Sequence, residues 1–391
     1  MLAIKNGRFE TVTKGTCEGY TLLVDGGKIV DFGKNVKIPK GAEIIDGTGK
    51  WIVPGFIDAH THISTKSYPS FEGHHWDLNE KTDPVTPALR AEDALNPRDP
   101  SIAKARHGGI TTACTLPGST NVIGGTGICF KLKQAQTAED MIIPGTEQLK
   151  MALGENPKRC YGENKKAPMT RMAIAAMIRE TLYKAQAYAE AKKAAKKAGK
   201  PFALDFQLEP LVPALEGKRK VRIHCLRNDD IVTATKLVKE FHLNASLEHV
   251  NEGYMITDYL KKQKTDFVLG PFLIYPRKFE LLNTRLSNAA SFEKAGIDFC
   301  LTMDDGYLSY QLPVMVGMCI ARGLSQETAL RAVTINPAKL LKLDKRIGSI
   351  EVGKDADICI WSGNPFCNFS VCETTIIDGE VYSLADSGVA Y

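Results

Sequence analysis

The chain has 391 residues, 43% of them apolar and 24% charged, ordinary proportions for a folded protein that argue against disorder. Its net charge of +5 is too mild to imply a nucleic-acid partner, and no apolar run approaches the ~20 residues needed to cross a bilayer. Ten cysteines, scattered without CxxC spacing, read as reduced thiols and exclude a disulfide framework or a Cys-based zinc site.

The chain opens with short β segments at 2–4, 20–24 and 44–45, divided by Asn6-Gly7, Gly26-Gly27 and Gly47. The opening Met1–Gly7 has no basic stretch leading into an apolar core, so the expected compartment is the cytoplasm. A similar β texture returns at 348–354, 356–361 and 375–381. Each piece is too small to bury a core alone. The economical expectation is one β-sandwich built from both termini, 1–54 with 344–391, flanking a separate domain at 55–343.

From 55 onward, apolar strand-like runs alternate with helical stretches. The strands are expected at 55–60, 111–116, 149–154, 221–225, 245–249, 267–269 and 298–302, the helices at 171–197, 229–241, 255–262 and 325–333. Buried strands alternating with amphipathic helices imply a parallel sheet, and over this length a closed TIM-type (β/α)₈ barrel is expected. No glycine-rich phosphate fingerprint follows the first strand, which argues against a dinucleotide fold. Residues 121–127 (NVIGGTG) read as a flexible glycine loop near the mouth, an ordinary turn first and a source of backbone N–H groups for a substrate anion second. The Ala/Lys-rich stretch 184–200 reads as a solvated helix outside the barrel.

The chemistry gathers at the strand ends. Side chains on a strand alternate with period two, so His60 and His62 point the same way. His224, His249 and Asp304 each close a later apolar run. In a barrel such ends converge on one face, and imidazole with carboxylate suits zinc or another first-row cation, one ion or two. A sixth ligand is expected from the fourth strand: Glu155 at its end, which needs no modification, or Lys150, deeper, if it carries a carbamate. Asp58 shares the face of His60 and either orients an imidazole or plays a plain structural part. The segment 71–77, with His74 and His75, follows the first strand and is expected to close over substrate through His75. Tyr275 and Arg277 follow the seventh strand, where an arginine suits a substrate carboxylate.

This ordered set of motifs resembles the amidohydrolase superfamily, especially the group related to imidazolonepropionase. The entry segment Asp46 to His62 (DGTGKWIVPGFIDAHTH) is similar to that group's, as are Thr334 to Ala338 (TINPA) and Gly348 to Asp357 (GSIEVGKDAD). The run Met151 to Arg159 (MALGENPKR) resembles a subgroup within it. The resemblance implies metal-dependent hydrolysis of a carbon–nitrogen bond in a small molecule, with Asp304 as acid–base catalyst, no nucleic-acid or membrane partner, and pairing of subunits. The chain departs from the pattern in two places. Asp305-Gly306 stands where the subgroup has His-Pro, and Leu226 where a second histidine is expected. Two alternatives stay open: a deaminase of a heterocyclic ring on the same barrel, and an inactive barrel serving as a binding protein.

Overall fold

The computed structural model describes residues 1–66 and 76–383. Eight strands form a nearly closed, TIM-like barrel: β1 (Phe56–Thr61), β2 (Ile110–Thr115), β3 (Ile123–Lys131), β4 (Gln148–Ala152), β5 (Val221–Cys225), β6 (Ala245–His249), β7 (Asp266–Leu269) and β8 (Cys300–Leu301). They are hydrogen-bonded in chain order from β1 to β8. The seam between β8 and β1 lacks a ladder and is bridged by the Thr302 hydroxyl, which reaches Asp58 Oδ1 at 2.6 Å and the His60 carbonyl at 2.5 Å.

One strand departs from the parallel pattern. β3 runs antiparallel to both β2 and β4, while the remaining pairs are parallel. Residues 123–127 of the expected glycine loop are instead the buried start of this strand. Its glycines admit close packing: a Cβ on Gly125 (φ +100°) would lie 2.3 Å from the Leu89 carbonyl, and one on Gly127 would lie 2.4 Å from that of Thr115. A glycine cluster therefore marked a crowded strand.

Helix Arg171–Lys197 has the expected bounds. Thr170 caps it by accepting from Ala173 N–H, and Ile174, Ile178, Leu182 and Ala185 turn one stripe onto the barrel. Its lysines face water or pair locally, Lys184 with Glu180 and Lys192 with Glu209. No helix among the described residues is long and apolar enough to cross a membrane.

Strands from both chain ends form two further sheets. One has the order Lys28–Gly33, Thr21–Asp25, Leu2–Lys5, Glu43–Asp46; the other runs Glu380–Ser383, Cys372–Ile377, Ile358–Trp361, Trp51–Pro54, Arg8–Glu10, Thr16–Glu18. Ile4 and Leu22 of the first share one core with Phe9, Ile52, Ile358 and Ile376 of the second. The expected strand 375–381 is really two, turned at Asp378-Gly379, both at positive φ as a tight hairpin requires. Lys131, the last residue of β3, ties the barrel to these sheets. Its buried ammonium meets Asp357 at 2.6 Å, Asp378 at 3.0 Å and Asp355 at 3.1 Å.

Candidate active site

The C-terminal ends of β1, β5, β6 and β8 bring four imidazoles and one carboxylate together. Ring centroids of His60 and His249 lie 4.8 Å apart, those of His224 and His249 4.5 Å, and those of His60 and His62 5.6 Å. Asp304 Oδ1 stands 3.2 Å from His62 Nε2 and 3.4 Å from His60 Nε2, and its Oδ2 lies 3.8 Å from His249. Two of these residues depend on unusual backbone. His249 (φ +74°) and Asp304 (φ +50°) are both left-handed without being glycine, a conformation that costs about 1–3 kcal/mol and concentrates at functional sites. Simple alternation would send His249 to the opposite side from Glu248. The left-handed turn at the strand end lets both reach the centre.

Three imidazoles are oriented through Nδ1: His60 by Glu248 Oε2 at 2.7 Å, His62 by the Leu116 carbonyl at 2.8 Å, and His249 by the Gly270 carbonyl at 2.8 Å. Their Nε2 lone pairs are left for the centre. His249 Nε2 and both nitrogens of His224 are buried without any hydrogen-bond partner. Burial drives His60 well below the ordinary imidazole range, takes His224 down to about 3 and lowers His249, so these rings are neutral at pH 7. Burial alone would raise Asp304, but His249, His62 and His60 overcome it and hold the carboxyl well below its usual value. Buried orphan nitrogens are costly, and neutral imidazoles around a carboxylate fit a divalent cation.

Of the two candidates expected from the fourth strand, the deeper one lies within this group. Lys150 is fully buried, with Nζ 2.8 Å from His60 Nε2. Burial lowers its pKa to about 8, against the pull of Asp304 and Glu248. Glu155 is not brought into this group. Strand β4 ends at Ala152, and Glu155 begins the next helix, its carboxylate accepting from Glu280 N–H at 3.3 Å. The expectation assumed a longer strand; Gly154, at φ +89°, turns the chain first.

A buried layer beneath the centre was not anticipated. Arg222 and Glu248 form a two-point pair at 2.7 and 2.8 Å, and Arg222 also donates to Gln148 Oε1 and the Ala59 carbonyl. The signal was present as charges inside otherwise apolar strands, with Arg222 two residues before His224. Asp58, fully buried, accepts from Thr302 and from His60 N–H, and burial raises its pKa to about 7. Lys278 and Glu280, from the segment after β7, were likewise missed.

Tyr275 and Arg277 are exposed, Tyr275 by 73%, and no hydrogen bond carries either side chain inward. The cation that this segment turns inward is Lys278, 2.8 Å from Asn156 Oδ1 and 2.5 Å from Glu280 Oε1. His75 lies outside the described residues. Asp305 is an anchor: it pairs with Lys66 at 2.6 Å and accepts from Tyr307 and Leu308 N–H, fixing the loop that carries Asp304. Leu226 is buried.

The model of the amidohydrolase family matches residues 51–382. The chain is 27% identical over 372 residues to the amidohydrolase tasK of Hapsidospora irregularis, an alignment taking in 88% of this chain and 38% of that protein, so the chain spans well under half of that relative. It is 24% identical over 403 residues to the imidazolonepropionase of Thermoplasma acidophilum, covering 95% of this chain and 91% of that one. The solved amidohydrolase from Thermotoga maritima MSB8 is 40% identical, superposes with a TM-score of 0.93, and is covered along 100% of its length by 98% of this chain. By this near full-length likeness in sequence and fold, the chain belongs to the amidohydrolase family.

Proposed function

We propose that this chain hydrolyses an amide-like carbon–nitrogen bond, open or cyclic, in a small molecule, using water activated at a divalent-metal centre. His60, His62, His224, His249, Lys150 and Asp304 would hold one or two ions, with zinc the best match to that donor set. The observation that carries this reading is the cluster itself: Asp304 within 3.4 Å of His60 and His62, beside buried His224 and His249 nitrogens that have no hydrogen-bond partner. When bound, such an ion lowers the pKa of its water toward ~7 and polarises the substrate carbonyl. Asp304 would be the group that accepts the proton from water and returns it to the leaving nitrogen. Its side chain is 23% exposed, whereas those of His60, His224 and His249 are nearly closed off, so it faces the approach. Lys150, with its lowered pKa, supplies a neutral amine that adds to carbon dioxide, forming an N–C bond and releasing a proton. The resulting carbamate would be an anionic ligand for the centre.

Residues 55–343 would form the catalytic domain. Residues 1–54 with 344–391 would form a β-sandwich that stabilises it. Ten free cysteines suit a reducing compartment such as the cytoplasm.

Metal content per chain, measured by mass spectrometry on protein purified without chelators, tests the proposal. Wild type should carry about one or two zinc-like ions, and the His60→Ala/His62→Ala variant should lose them. Lys150→Met should lose metal and stop responding to bicarbonate, while Glu155→Gln should keep wild-type content. No metal in wild type after reconstitution would overturn the reading. Ammonia released without ring opening, from a purine or pyrimidine, would redirect it to deamination.

A further inference from the structure

We propose that Glu280, in the segment after β7, is a positioning residue for His224, fixing which nitrogen that imidazole turns toward the metal centre. The inference rests on the metal-dependent reading above. Three of the four imidazoles have an acceptor on Nδ1, but His224 has no hydrogen bond at either nitrogen. The acceptor facing its Nε2 is Glu280 Oε1, at the ion-pair separation of 4.0 Å.

The chemistry around Glu280 decides what His224 must offer it. The carboxylate is fully buried and is met by donors: Glu155 N–H at 2.8 Å, Lys278 Nζ at 2.5 Å and the Arg171 guanidinium at 3.7 Å. The two cations make it an ion-paired carboxylate. An ionised carboxylate only accepts, so the imidazole nitrogen beside it carries the hydrogen and the other keeps its lone pair. A carboxylate behind a ligating imidazole fixes the ring and raises its basicity, as Glu248 does for His60.

The space is kept open for this carboxylate. A Cβ on Gly154 would stand 2.7 Å from Glu280 Oε2. From the same carboxylate a polar chain runs outward through Lys278 to Asn156 and on to Ser119 Oγ at 2.8 Å. One buried charge thus couples the segment after β7 to His224, to the loop after β2 and to the helix after β4.

Zinc affinity, measured by competition with a chromogenic chelator, tests the inference, with the cobalt(II) absorption spectrum as a second readout. The proteins are wild type, Glu280→Ala, Glu280→Gln and His224→Ala, with the doubles Glu280→Ala/His224→Ala and Glu280→Gln/His224→Ala. Alanine at 280 should weaken one ion about 10–100-fold and alter the cobalt bands, with glutamine in between. Once His224 is alanine, changing 280 should cost nothing more. Equal losses in both backgrounds, or no loss in either, would overturn the positioning role. If Glu280→Ala does not fold by thermal melting, Glu280→Gln in the two backgrounds decides by the same criterion. Wild type that binds no zinc overturns the metal reading itself, a result distinct from tight zinc binding whatever stands at 280.

Discussion

Asp304→Asn should bind metal nearly as wild type does while turning over substrate about 10²-fold or more slowly. The substitution keeps an oxygen beside His62 and His60, now 3.2 and 3.4 Å from the carboxylate, but removes the group that can take a proton. Its size and the left-handed backbone at φ +50° are both tolerated by asparagine, which adopts that region more readily than most residues. The measurement is kcat alongside metal per chain. A variant that loses metal as well would make Asp304 chiefly a ligand, and one that keeps the wild-type rate would remove it from the chemistry.

Glu248→Ala should destabilise the fold by about 3–5 kcal/mol, read from the midpoint of denaturant unfolding. Arg222 and Glu248 are both wholly buried, so the variant would leave a guanidinium in the barrel interior without its counter-charge. Gln148 Oε1 and the Ala59 carbonyl would remain as acceptors, but neither carries a charge. The same variant strips His60 of its Nδ1 partner, so metal affinity should fall with stability. Stability within about 1 kcal/mol of wild type would mean that two neutral acceptors suffice for Arg222.

The barrel's strands were legible where apolar runs ended in a polar residue. β5 and β6 have the expected bounds, and the helix Arg171–Lys197 follows from its apolar spacing. Period-two alternation put His60 and His62 on one face, and strand ends singled out His224, His249 and Asp304. What escaped was structure written in glycine or in isolated charge. β3 was hidden by its glycines, which carry no side-chain pattern to read. Arg222, Glu248 and Glu280 acquire their partners only when distant strands meet, so no local spacing announces them. The choice between Lys150 and Glu155 turned on the length of β4, and a two-residue change at a strand end moves a side chain by a whole layer.

The reversed third strand bears on how the chain folds. Parallel neighbours meet only after a long crossover has been organised, but β2 and β3 pair back on each other through the short connection between Thr115 and Ile123. The entropy lost in closing a loop grows with its length, so this hairpin is the least demanding sheet contact of the barrel to make. It should form early and template β4 and β1 on its two sides, with the later parallel strands added afterwards. Pulsed hydrogen exchange during refolding would then find the amides of Thr112–Thr115 and Ile128–Lys131 protected ahead of those in β5 to β8.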